Sequence, residues 1–269
     1  MKTRPHFILD CRQASEGDGF TLVELLVIIG LLALLATIQV SAYAEAKGRT
    51  QKTVCASNVR KLTLALHVYG GDNDNKLPVL SGYATWPWDV PSYMADRMLS
   101  YGLYKRDFYC PSTAPRYTDW ENFLDPAPAR TLWNWGPDFH VTGYVFALSG
   151  GASKLSITNQ NTTLLAEPIS ASSLPGSPTL PPPANSEREL VADVIISSPG
   201  QNNPALRLSG YYNYDDIAGG FYLHHLSAHL NGEIPEGSNI GFKDGHVAWR
   251  NFSDERMAPR TVSSDTFWW

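Results

Sequence analysis

The residues of this sequence best suited to chemistry gather near its C-terminus: His224, His225, His229, Asp244 and His246. Imidazole and carboxylate are both zinc ligands, and His225 and His229, four apart, would share one face of a helix. The pattern stops short of a metallohydrolase, because Leu226 stands where an H-E-x-x-H arrangement needs its glutamate. Upstream, Asp215 and Asp216 follow Tyr211-Tyr212-Asn213-Tyr214 and offer the hard oxygens that calcium takes, though without EF-hand spacing. The metal candidates are therefore Asp215, Asp216, His225 and His229, with calcium the one ion the loop would suit and no other cofactor expected. Plain readings stand beside these: hydrogen-bonded or surface histidines, and Asp244 as the turn residue before Gly245. No G-x-S-x-G, P-loop or dinucleotide fingerprint occurs, so no enzyme is expected.

The elements that must position these residues are dominated by the N-terminal third. With 17% charged residues and a net charge of -5, the 269-residue chain has no electrostatic case for nucleic acid. Residues 1–19 are polar. Phe20 to Val40 then reads FTLVELLVIIGLLALLATIQV, with Glu24 its one ionisable side chain. A helix of that length would span about 30 Å, the thickness of a bilayer core. Beyond it the pattern becomes periodic: Cys55, Val59, Leu62, Leu66 and Tyr69 step by 4, 3, 4 and 3, so they share one helical face, and Gly70-Gly71 closes the pattern.

The junction Gly19-Phe20-Thr21-Leu22-Val23-Glu24 resembles the class III signal of type IV prepilins and type II secretion pseudopilins. The resemblance implies cleavage after Gly19 by a prepilin peptidase, methylation of the Phe20 amine by the same enzyme, and a role for Glu24 in aligning subunits during assembly. A second stretch, Cys55-x-x-Asn58-x-Arg60-x-Leu62 with Tyr69, Asp72 and Pro78, is similar to pseudopilin-like proteins of Planctomycetes, Verrucomicrobia and Lentisphaerae. Gly237–Arg250, with Asp244-Gly245-His246, resembles their C-terminal H-x9-DG segment. Here, however, fourteen residues separate His229 from Asp244, and Ile234 stands at the nine-residue spacing.

As the resemblance implies, the expected fold is α+β and pilin-like: a long N-terminal helix, transmembrane in its first half, packed on a small antiparallel sheet with long loops. The expected divisions are a leader at 1–19, a membrane segment at 20–40, a periplasmic continuation at 41–71 and a head at 72–269, with the H-x9-DG-like segment at 229–250. The expected function is a structural subunit of a type II secretion pseudopilus or type IV pilus-like filament. Its partners would be prepilin peptidase/methyltransferase, other pseudopilin subunits and the inner membrane, with no nucleic acid. A membrane-tethered periplasmic or surface binding domain that does not polymerise is the alternative. Either way the protein would cross the inner membrane once, with its head in the periplasm.

With Cys11 lost in the leader, two of the three cysteines remain, in a compartment that permits oxidation. A disulfide between Cys55 and Cys110 is one expectation, and two separately buried thiols are the other. In the head, Asp244-Gly245 between apolar runs predicts a hairpin, with strands at 239–242 and 246–250 and others at 143–148, 163–166 and 190–197.

Overall fold

A computed structural model of the chain describes residues 20–82, 84, 86–113, 132–134, 136–150, 154–170, 179–197, 203–210, 212, 227–262 and 266–269. The chain divides into two compact units, Met1–Ala46 and Lys47–Trp269. Helix α1 runs from Leu22 to Asp72. Its start is fixed by a reciprocal capping box. The Glu24 amide donates to the Thr21 hydroxyl (3.2 Å), while Glu24 Oε2 accepts from the Thr21 amide (2.9 Å) and hydroxyl (2.7 Å). The backbone hydrogen bond from Thr21, then its hydroxyl, lowers the pKa of Glu24.

This overturns the membrane reading. Among the described residues, no helix is long and apolar enough to cross a membrane. The large apolar side chains described between Phe20 and Leu35 are exposed. The T-x-x-E pattern inside the prepilin-like junction is, physically, a helix-start signal. The pseudopilin resemblance, the transmembrane first half, the single-pass inner-membrane location, the filament-subunit function and the membrane-tethered alternative all required a span, and all are corrected here. Gly19 and the leader lie outside the described residues; Phe20 is exposed just ahead of α1.

The fold class is corrected as well. In place of one small sheet, the described residues form five separate antiparallel ones. The largest has four strands: β1 (Tyr144–Phe146), β2 (Glu189–Asp193), β3 (Gly237–Phe242) and β4 (Val247–Asn251), in the order β4-β3-β2-β1. Among the described residues there are also four two-stranded ribbons, pairing 89–91 with 139–141, 196–197 with 266–267, 169–170 with 179–180, and 230–231 with 234–235. A second helix, α2, spans Ser92–Ser100. The run 163–166 forms no strand; Thr163 makes only an isolated bridge to Lys76.

Within the second unit, α1 lays its stripe on the sheet: Cys55, Val59, Leu62 and Leu66 are all fully buried. The close approach depends on Gly241 of β3. A Cβ there would sit 2.0 Å from Thr63 Oγ1 and 3.2 Å from Val59 Cγ1. Past the helix, Asp74 and Asn75 take positive φ, and the Asn75 amide bonds back to the Gly70 carbonyl, turning the chain towards the head. The turn between β3 and β4 is the Asp244-Gly245 hairpin, with Gly245 at φ 91°. Asp244 Oδ1 accepts from the His246 amide (3.1 Å) and meets His246 Nδ1 at 2.6 Å, so Asp244, Gly245 and His246 act locally, in the turn.

Candidate metal centre

The side chains of α1 one turn either side of Cys55 hold a second segment of chain against it. Gln51 Nε2 donates to the Pro111 carbonyl (3.0 Å), and Asn58 Nδ2 to the Tyr109 carbonyl (3.3 Å). That grip sets Cys110 beside Cys55; both are buried and both are free thiols. The third group, Asp193, ends β2 opposite Tyr144 of β1 and is fully buried. Its Oδ2 accepts from the amide (2.7 Å) and side-chain Nδ2 (3.2 Å) of Asn239 on β3, which orients the carboxylate towards α1. His229 closes the set. It sits at φ 54°, uncommon for a residue with a Cβ, and its amide donates to Ser112 Oγ (2.9 Å) while its carbonyl accepts from the Glu236 amide (2.9 Å).

Four ligand atoms from four distant segments therefore converge: the two Sγ atoms, a carboxylate oxygen of Asp193 and a ring nitrogen of His229 all lie within 4.8 Å of one another. Cys110 Sγ is 3.6 Å from His229 Nε2, which is 3.3 Å from Asp193 Oδ2. A tetrahedral ion about 2.3 Å from sulfur and about 2.0 Å from nitrogen or oxygen places its ligands roughly 3.3–3.8 Å apart, so these spacings suit one. Cys55 Sγ lies 2.6 Å from Asp193 Oδ1 and donates to it. A second layer supports the first: Tyr144 OH is 3.4 Å from Cys55 Sγ, and Ser112 Oγ is 3.0 Å from Cys110 Sγ. A cavity of about 290 Å³, lined by Lys52, Ser112, His229 and Glu236 among others, offers an entry path to the histidine.

The electrostatics are those of a cluster sharing protons. Burial, with hydrogen bonding to Cys110 and the charge of Asp193, pushes the Cys55 thiol well up. Burial would raise Cys110 too, but its hydrogen bond with Cys55 and its contact with His229 outweigh that and hold it down at about 6. Burial opposes protonation of His229, yet the Asp193 carboxylate prevails and lifts it to about 10.

No family model matches this chain, and no characterised protein or solved structure is detectably similar to it. The site must speak for itself.

Of the residues singled out from sequence, the structure brings together Cys55, Cys110 and His229. Asp244 and His246 are not in the cluster, and Asp215, Asp216 and His225 lie outside the described residues. Sequence reasoning missed Asp193, although a signal was there. A carboxylate within Leu190-Val-Ala-Asp193-Val-Ile-Ile is costly to bury and needs a partner. It also missed Ser112, Tyr144 and Asn239, whose roles follow only from the fold.

Proposed function

We propose that the Lys47–Trp269 unit is a metal-binding domain in which Cys55, Cys110, Asp193 and His229 hold one zinc ion as a structural centre. The observation that carries this is the convergence of four buried ligand atoms, two of them sulfur, within 4.8 Å. Two thiolates and an imidazole select a borderline-soft ion such as zinc over the hard calcium expected from the acidic loop. Four protein ligands leave no open position for water or substrate. The ion is thus a fastener joining α1, the Cys110 segment, β2 and the His229 turn, and the domain performs no metal catalysis. A Cys55–Cys110 disulfide would use the same two sulfurs, so bond and ion exclude one another.

Calorimetric titration of the reduced apoprotein with zinc tests this. One ion per chain is expected, with proton release read from buffers of different ionisation enthalpy. At pH 7.5, Cys55 is a thiol and His229 an imidazolium, while Cys110 is already a thiolate. Binding should therefore release about two protons. Affinity should rise with pH, steepening below about 6, where Cys110 also carries a proton, and easing as pH approaches about 10, where His229 loses its own. Binding without proton release would place the ion elsewhere.

A further inference from the structure

The two sulfurs of the metal centre are neighbours as well as ligands. Cys55 Sγ and Cys110 Sγ lie within 4.8 Å of each other, and both thiols are free. A disulfide of about 2.05 Å asks them to close less than about 3 Å, a movement of the size that a change of rotamer makes. The segments that carry them are already joined without an ion. Gln51 Nε2 donates to the Pro111 carbonyl at 3.0 Å, and Asn58 Nδ2 to the Tyr109 carbonyl at 3.3 Å.

Joining the sulfurs changes what is left for a metal. Asp193 and His229 remain, a carboxylate and an imidazole 3.3 Å apart. Those two ligands fall short of the four that a structural zinc site takes. The buried carboxylate is not stranded, because Asp193 Oδ2 keeps the amide and Nδ2 of Asn239 at 2.7 and 3.2 Å. The disulfide itself still ties α1 to the Cys110 segment, so the oxidised domain loses its ion without losing that fastening.

Access selects a small oxidant. Both sulfurs are wholly buried. Ser112 and His229 line the cavity of about 290 Å³, and the same two residues touch Cys110 Sγ, at 3.0 and 3.6 Å. Hydrogen peroxide fits that path, whereas a bulky disulfide such as oxidised glutathione is too large for it.

Resting on the zinc reading above, we propose that Cys55 and Cys110 make the centre redox-sensitive: hydrogen peroxide joins the two sulfurs and the zinc is expelled. Thiols that ligate a metal are deprotonated, so both react as thiolates. Cys110 Sγ attacks one peroxide oxygen, the O–O bond breaks and hydroxide leaves, giving a sulfenic acid. Cys55 Sγ attacks that sulfur and displaces a second hydroxide as the S–S bond forms. The sulfurs give up two electrons, the peroxide takes them, and protons from solvent turn both hydroxides into water.

The full chain is loaded with zinc, mixed with a zinc-responsive dye and given about ten equivalents of hydrogen peroxide. One zinc should appear in solution for each Cys55–Cys110 disulfide found by non-reducing peptide mapping, and a thiol reductant should restore uptake. The same excess of oxidised glutathione should release zinc at least about tenfold more slowly, and equal rates would overturn the choice of a small oxidant. Zinc bound at the outset and retained after peroxide overturns the switch and leaves the metal centre standing. A chain that takes up no zinc defeats both. Release that leaves Cys55 and Cys110 unlinked, or that joins either of them to Cys11, also overturns the proposal.

Discussion

Replacing Cys110 with serine should abolish zinc binding and lower the melting temperature of the zinc-loaded protein by about 10 °C. The serine hydroxyl cannot supply the thiolate, and losing one member of a closed, buried, charged cluster costs roughly 3–5 kcal/mol. For a domain of this size each kcal/mol is worth about 2–4 °C. Cys55→Ser and His229→Ala should behave alike, because each removes a ligand that is buried and engaged by Asp193 or Cys110. The measurement is thermal unfolding with and without a chelator. Wild type should lose stability on chelation, whereas the three variants should be indifferent to it. Asp244→Ala, confined to the hairpin turn, should keep both metal and chelator response. A chelator effect that survived in Cys110→Ser would remove the sulfur from the site.

The second large effect is expected at Gly241. Alanine there meets Thr63 Oγ1 at 2.0 Å, too close for any contact, so α1 must lift from β3 or Thr63 must turn. Overpacking of this kind costs about 1–3 kcal/mol, and the upper end applies because Thr63 is fully buried and its hydroxyl already donates to the Val59 carbonyl. Thr63→Ala removes the nearest atom. The double variant should therefore recover most of the loss, a coupling that chemical denaturation of the two singles and the double would reveal. Additive losses would mean that α1 does not rest on β3 at this point.

What could be read in advance follows from how local each signal is. The stripe Cys55, Val59, Leu62, Leu66 and Tyr69 is a pattern within one element; the first four are buried where their spacing puts them on one face, and Tyr69, at the helix end, is half-buried. The Asp244-Gly245 hairpin is likewise local chemistry, since the turn needs the positive φ that Gly245 adopts. The N-terminal run misled for the same reason. Thr21 and Glu24 form a local capping box, and the same two residues complete the prepilin-like junction. Five separate sheets were not legible, because ribbons of two or three residues carry too little alternation to register.

The site was half legible. Cys55, Cys110 and His229 stand out by residue type, but nothing in the sequence spacing joins residues 55, 110, 193 and 229. Their meeting depends on Gln51 and Asn58 gripping the Tyr109–Pro111 backbone, and on Asn239 turning Asp193 inward. Those are tertiary contacts. The spacing of fourteen residues between His229 and Asp244 makes sense once the two are seen to do different work, one in the cluster and one in the turn.

X-ray absorption at the zinc edge, on protein reconstituted under reducing conditions with one equivalent of zinc, tests the central claim most directly. It should show two sulfur scatterers at about 2.3 Å and two nitrogen or oxygen scatterers at about 2.0–2.1 Å, with one sulfur lost in Cys110→Ser. A zinc shell of oxygen and nitrogen alone, unchanged by that substitution, would contradict it.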